Sequence, residues 1–512
     1  MNLFRRFMPA VAICAALIAF LLATDGRAMV LLGSTDYNGP GNGYDSASAL
    51  VLDANGNVYV AGCEVGALGE INWRIRKYDA TLGTLLATTD YNGPGLTSTV
   101  MNDAARAIAI DGSGNVLVAG YENASSGNWR IRKYDAALGT LLATTDYNGP
   151  GAAGLGSNDM ACSIAIDGSG NVYVAGYDVS PTWYDWRIRK YDATLGTLLA
   201  TTGYSTPSVT DDVAYSIAID GSGSVFVAGY ERPFGGSWNW RIRKYDATLG
   251  TLLATTDYDD QGNWFDAAYS ISIDSAGNVL VAGTEVNIIG SQNWLVRKYD
   301  ATLGTLLAAT DYTGPGNGFD EAYSIAIDRS GNVVVAGYET NAAGWYDWGV
   351  RKYDASLGTL LWATVYDDPS GHQDQANAVA IDPVGNFYVA GYESGTVGNM
   401  NWRVQKYGMA VPPGRVTVPP GVPVVVPIRV YPNPFNRASA VGGMVRFEGL
   451  APGGKIRIYN PAGLRVWEGT VTLPNLLMWN GRNEAGRAVA PGTYLWVAKG
   501  SGVSRRGRLI VE

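Results

Sequence analysis

The sequence predicts an all-β chain: a seven-bladed β-propeller with four strands per blade, followed by a small β-sandwich. Three observations predict it. One strand-rich unit recurs seven times between residues 29 and 407. The strand order within that unit starts and stops out of phase with the chain. The composition then changes abruptly after Tyr407. Gly 66, Tyr 31 and Trp 15 fit many strands and tight turns. A single His and three Cys leave little material for zinc fingers, haem or a Ser-His triad.

The chain opens with Arg5 and Arg6, an apolar run from Phe7 to Ala23, and a small-residue stretch ending Gly26-Arg27-Ala28. This order reads as a Sec-type signal peptide over residues 1–28, cut after Ala28. The run is too short for a membrane span, and nothing later is apolar enough to be one. The expected location is therefore secreted or at the cell surface, which the resemblance given below makes that of a bacterium. Cys63 and Cys162 sit at non-equivalent places in different repeats, so free thiols are expected.

The repeat reads as strand A ("SIAI", Ser163–Ile166), strand B ("NVYVAG", Asn171–Gly176), strand C ("WRIRKY", Trp186–Tyr191) and strand D ("TLLATTDY", Thr251–Tyr258). Its anchors are Trp73, Trp129, Trp186, Trp240, Trp294, Trp348 and Trp402, spaced 56, 57, 54, 54, 54 and 54. Strands A and B are apolar on both faces, as strands covered on both sides are. Stacked propeller blades provide such cover. Val30–Gly39 is a D strand without its A, B and C. Ala378–Tyr407 is an A-B-C set without its D. The first strand should therefore complete the last blade and close the ring, hiding two free edges.

Spacing also locates the variable loops. The acidic residue before strand A lies 17 residues before the "VAG" glycine in every repeat, and the strand C Trp lies 18 before the strand D Tyr. Length changes are confined to the B–C loop, 9 to 11 from Gly to Trp, and the D–A loop, 8 or 12 from Tyr to Asp. In an up-and-down blade these two loops share one face of the disc. That face is the candidate binding surface.

Segments such as Ile110–Tyr121 and Ile166–Tyr177 ("IDGSGNVYVAGY") resemble the repeats of secreted bacterial seven-bladed propellers. The resemblance covers roughly residues 29–407 and implies the fold without implying one activity. Residues 408–427 are rich in Pro and Val, an extended linker. Residues 428–512 carry short alternating strands with Gly/Asn/Pro turns, a small β-sandwich. There, "VYPNPFN" (Val430–Asn436), "IYNPAGLRVWEG" (Ile458–Gly469), "WNGRNEAGRAVAPGTY" (Trp479–Tyr494) and "GRLIVE" (Gly507–Glu512) resemble the Ig-like domain of flagellar hook-capping proteins. They also resemble the C-terminal sorting domain of type IX secretion cargo. Arg437 stands where the common pattern has proline. The resemblance implies a part concerned with export or attachment, with the export machinery as its partner.

Charge divides along the same line. Residues 29–407 hold 21 basic and 41 acidic side chains, net −20; residues 408–512 hold 13 and 4, net +9. An acidic propeller argues against nucleic acid as a ligand.

Candidate functional residues fall into two sets. Aromatics beside carboxylates in the variable loops suit stacking on sugar rings or docking of a protein. They are Trp183, Tyr184 and Asp185, Phe234 and Trp238, Trp264 and Phe265, and Trp345, Tyr346 and Asp347. The second set is an acidic ring, Asp45, Asp103, Asp159, Asp212, Asp266, Asp320 and Asp374, each just before strand A. It reads either as structural turn caps or as a cation site at the channel mouth; sevenfold repetition favours the structural reading. The A–B turn (Asp53-Ala54-Asn55-Gly56-Asn57) has the spacing of a calcium loop but too few carboxylates, and reads as a hairpin. No catalytic residue, metal ligand or cofactor is assigned. His372 is alone, and acidic pairs such as Asp211/Asp212 or Asp259/Asp260 are weak glycosidase signals. The expected function is a non-enzymatic binding or adhesion protein, with a polysaccharide or protein as ligand. The alternatives are a carbohydrate-active enzyme on the same face and a structural surface protein.

Overall fold

The computed structural model describes residues 29–93, 103–122, 127–150, 159–179, 183–206, 210–233, 236–259, 265–287, 290–368, 372–395, 399–409, 429–431, 444–448, 454–471, 476–500 and 503–511. The expected signal peptide, nearly all of the linker, Phe234 and Trp264 lie outside them. The chain divides into two compact units, Met1–Ala410 and Val411–Glu512.

In the first unit, seven four-stranded antiparallel sheets follow one another. Six are built from consecutive strands; blade 3, for example, is Met160–Ile166, Val172–Val179, Tyr184–Tyr191 and Leu198–Tyr204. The seventh takes Gln375–Ile381, Phe387–Ser394 and Met400–Met409 as A, B and C, and borrows Met29–Tyr37 as D. The first strand thus closes the ring, as the phase of the repeats predicts. Strand A of each blade abuts strand A of both neighbours, so these seven strands surround the axis. The D strands form the rim, where their side chains alternate between exposed and half-buried.

The core lies between blades. Seven apolar clusters each join two adjacent sheets, the last joining blade 7 to blade 1 through Tyr388, Ala390 and Trp402 with Val58, Val60 and Leu82. Each anchor Trp is at most 1% exposed. Six of them also donate Nε1–H to a strand B carbonyl of the next blade, as Trp240 does to Thr284 at 2.7 Å and Trp402 to Cys63 at 2.7 Å. A large ring buried with its one polar atom satisfied explains why the residue recurs.

The C–D turn holds a local surprise. In "TLGT" the left-handed residue is the leucine, not the glycine after it. Leu82, Leu138, Leu195, Leu249, Leu303 and Leu357 have φ between 58° and 62° and are 4–5% exposed. That conformation costs a non-glycine residue about 1–2 kcal/mol. It turns the side chain into the core shared with the neighbouring blade, as Leu195 enters the cluster of Trp129 and Ile131, and full burial of a leucine stabilises by about 1.5–3 kcal/mol.

Strand A differs from its expected bounds. In blade 3 it begins at Met160, three residues before Ser163, and carries a bulge between Ala161 and Ser163. Every blade has the same irregularity three residues after the ring aspartate.

The second unit is a small β-sandwich. One sheet has Arg429–Tyr431, Val445–Glu448 and Leu476–Trp479; the other has Arg465–Thr470, Lys455–Tyr459, Gly492–Gly500 and Val503–Val511. Val445, Phe447 and Trp479 from the first meet Ile456, Ile458, Trp496 and Leu509 from the second in one core.

Candidate functional site

The acidic ring is an internal fastening. The seven carboxylates are 0–1% exposed and turned toward backbone amides. Asp45 accepts the N–H of Gly39 at 2.6 Å and of Val65 at 2.7 Å; Asp320 accepts Gly314 at 2.5 Å and Thr340 at 2.6 Å. Asp159, Asp212 and Asp374 do the same with the equivalent pairs, and Asp103 and Asp266 accept Gly93 and Val286. Each aspartate N–H in turn donates to a carbonyl near the start of strand C in the preceding blade, as Asp320 does to Gln292 at 3.0 Å. Asp45, Asp159, Asp212, Asp320 and Asp374 therefore join the D–A loop to the end of strand B, and all seven join their blade to the one before. None of the seven pairs with an arginine among the described ion pairs. The A–B turn carboxylates are likewise held within the scaffold: that of Asp53 accepts the N–H groups of Asn55 and Asn57 and the Asn57 amide at 2.8–2.9 Å, with the Lys77 ammonium of strand C 3.8 Å away. Among the described residues no three His, Cys, Asp or Glu side chains are grouped to hold a metal ion.

Burial pushes several ring carboxyls up, against the pull of the backbone amides: Asp45, Asp212 and Asp320 to about 6 and Asp374 to about 7. The folded state then holds protons that the unfolded chain, near 3.8, releases. The stability this gives is full below about pH 4 and is lost as pH rises through 6 to 7. The turn aspartates behave oppositely. Hydrogen bonds and lysines hold Asp111, Asp167, Asp274 and Asp328 below the ordinary value despite partial burial, so their contribution is lost as pH falls below about 4. Thermal melts from pH 8 to pH 4 should show the melting temperature rising on acidification to a maximum near pH 4; a maximum at pH 8 would refute this balance.

The aromatic loops split into two kinds. Trp183 and Trp345, in the B–C loops of blades 3 and 6, are 37% and 43% exposed. Trp345 lies 5.5 Å from the ring of His372, which the D–A loop brings beside it. The others among the described residues, Tyr184, Trp238, Phe265 and Tyr346, are packed inward. Tyr184 rests on Tyr177 at 4.6 Å and Tyr346 on Tyr338 at 4.4 Å. Trp238 and Phe265 contact each other, with Arg232 4.0 Å above Trp238. Expectation and structure part at the carboxylates. Strand C extends outward to Tyr346, so Asp347 lies inside the strand, 6% exposed and accepting the Asn341 amide at 2.9 Å. Asp185 is likewise inside its strand, opposite Asp178 and half-buried. Asp347 is thus not an exposed acid beside Trp345.

Sequence reasoning missed the residues around the axis. The strand A bulge falls at Ser48, Arg106, Cys162, Tyr215, Tyr269, Tyr323 and Asn377. All seven keep solvent exposure on strands whose flanking alanines Ala47, Ala105, Ala161, Ala214, Ala268, Ala322 and Ala376 are buried. Tyr215, Tyr269 and Tyr323 follow one another around the ring at centroid distances of 5.1 and 5.0 Å. The hydroxyls of Tyr269, Tyr323 and Tyr338 and the Gln292 amide, the last at 2.7 Å, converge on Glu321. Burial holds the Tyr215, Tyr269 and Tyr323 hydroxyls well above their ordinary value, so they stay protonated. Arg106 stands in the opposite part of the ring beside Tyr121, Cys63, Cys162 and Tyr44. The usable signal was variation: this position reads S, R, C, Y, Y, Y, N in a strand otherwise nearly constant.

Fold and surface together define a closed propeller whose chemical individuality lies on one face and along its axis. No family model matches the chain, and no curated protein does. Among solved structures it is similar to PorZ of Porphyromonas gingivalis, an essential bacterial surface component of the type-IX secretion system. The two are 17% identical with a TM-score of 0.41, over 90% of this chain and 58% of PorZ. It is also similar to the polysaccharide lyase Uly1, 14% identical with a TM-score of 0.44 over 70% and 89% of the two chains. Sqt1 from Chaetomium thermophilum is 13% identical with a TM-score of 0.42 over 69% and 81%. The chain spans little more than half the length of PorZ.

Proposed function

We propose that this is a secreted or cell-surface binding protein. In this reading the loop face of its propeller takes a glycan, and its C-terminal sandwich serves export or attachment. The observation that carries the reading is the contrast between a repeated scaffold and one varied face, on which Trp183 and Trp345 stand exposed. A tryptophan fixed at a strand end loses little entropy when a sugar ring stacks on it. The His372 ring beside Trp345 widens that platform. The export role rests on the resemblance of the four C-terminal segments. Catalysis by paired carboxylates is the weaker reading. Asp212 is taken by the Thr206 and Arg232 amides, and Asp211 accepts the Tyr184 N–H at 3.1 Å.

The test is a polysaccharide and glycan binding screen of the chain from residue 29, with and without a calcium chelator. Product formation is followed on every glycan that binds. Trp183→Ala and Trp345→Ala should each weaken binding about tenfold or more, without sensitivity to chelator. Turnover would establish the enzyme reading instead. Absence of any glycan binding would end this proposal in favour of a protein partner or a structural role.

A further inference from the structure

The axis of the propeller is asymmetric in a way the scaffold does not require. Four consecutive blades, 7, 1, 2 and 3, place Asn377, Ser48, Arg106 and Cys162 on it, and three, 4, 5 and 6, place tyrosines. The tyrosine side is a continuous wall that carries its own acceptor, Glu321, already supplied with donors. On the other side Asn377 is tied back, its amide donating to the Ala47 carbonyl at 2.9 Å. Ser48 and Cys162 are short. Among the four bulge residues of that half, Arg106 is therefore the one that can reach out, and it is exposed.

Its surroundings set Arg106 apart from the other arginines. Those of strand C are occupied. Arg74, Arg130, Arg187 and Arg241 pair with Glu64, Glu122, Asp178 and Glu231. Arg132, Arg189 and Arg297 lie about 4 Å over tyrosine rings. Arg106 has no carboxylate within ion-pair distance among the described residues. Its neighbours are the Tyr121 ring at 5.8 Å, Tyr44 and two thiols that burial keeps protonated, pushing Cys63 up to about 11 and Cys162 to about 12. In a unit of net charge −20, a guanidinium kept without an acid is poised for an anion from outside.

We infer that the axial mouth, on the same face as the variable loops, binds a single anionic residue of a saccharide, with Arg106 as its anchor and the Tyr215–Tyr269–Tyr323 arc against its ring. The ring and hydroxyls of a sugar suit a wall of tyrosines, whose faces stack and whose hydroxyls donate and accept. The overall negative charge repels an extended polyanion. The matching ligand is an otherwise neutral glycan bearing an isolated carboxylate or sulfate. This inference rests on the glycan-binding reading above and adds the class of glycan and the residue that selects it.

The probes are a xylotriose bearing one glucuronic acid, the same compound with its carboxyl reduced, and a lactose bearing one sulfate, each titrated into the chain from residue 29. The acid should bind about tenfold or more tighter than the reduced form. Arg106→Gln and Arg106→Asn should erase that difference, the second being the residue blade 7 already carries at this position. Thermal melts check that both variants fold. Equal binding of the sulfate would show that charge alone is read; preference for the carboxylate would show planar, two-point recognition; either supports the anchor. A difference between acid and reduced forms that survives in both variants overturns it, as does no difference in the parent. If neutral glycans still bind in a Trp183- or Trp345-dependent way, the glycan-binding reading stands while this one falls. If no saccharide binds, both fall.

Discussion

Removing Val30–Tyr37 is expected to open the ring and make the protein self-associate. This segment is the D strand of blade 7, and its pairing with Met400–Met409 runs from Met29↔Met409 to Tyr37↔Trp402. Tyr37 packs edge-on against Trp402 at 5.8 Å, and its hydroxyl donates to Glu64 of blade 1. One short segment therefore contributes a strand ladder, cover for the Trp402 ring and a link across the closing interface. Without it a strand of ten residues presents unpaired N–H and C=O groups along one side, a template for pairing with another chain. The expected loss is on the order of 5 kcal/mol, a large share of what holds an ordinary domain together. Size-exclusion chromatography should show oligomers, and the melting temperature should fall. Moving the segment to follow Met409, through a short turn, should restore both. A monomer that melts where the parent does would refute closure by this strand.

Replacing one ring aspartate should be almost as damaging, although its carboxylate is closed to solvent and to any ligand. Asp320→Ala leaves the Gly314 and Thr340 amides without their acceptor in a site closed to solvent. A buried donor left unsatisfied costs about 1–3 kcal/mol, so the pair implies about 2–6 kcal/mol. Chemical denaturation of the variant measures it. The result also separates two roles for the ring. A fastening loses stability whether or not calcium is present; a cation site would lose only the part that calcium adds. A variant as stable as the parent in the presence of a chelator would refute the fastening.

Much of the architecture was legible because each repeat must solve the same packing problem. Seven copies of one Trp, and of one Asp always 17 residues before one Gly, count the blades. A D strand at the start and a missing one at the end announce how they close. The axis was not legible for a related reason. Strand A reads as a plain apolar strand, and nothing in "AYSIAI" says that a bulge turns Tyr215 toward the centre while Ala214 stays in the sheet. A bulge is a property of two paired strands, and pattern along one of them does not reveal it. The loop residues failed differently. Asp347 sits beside Trp345 in the chain, but strand C runs on through it and turns it inward. Strand C begins at Tyr346, so the sheet takes in Asp347 and leaves Trp345 outside it. The left-handed leucines show the same limit: a glycine one position later is the expected place for positive φ, and tertiary burial overrode it.

The closing strand also decides how the molecule bears load. The chain leaves the propeller after Met409, at the end of strand C of blade 7, on its way to the unit that we assign to attachment. Any pull between a held ligand and an anchored tail enters through that strand. Were it the last strand of an open sheet, its ladder would give way one bond at a time from the loaded end. Instead it is the third of four. Tyr407 faces Phe387 on one side and Leu31 on the other. To peel it, tension must break two ladders together at every step, and one of them belongs to the opposite end of the chain. The ring is thus locked at the very residue where a tether would drag on it.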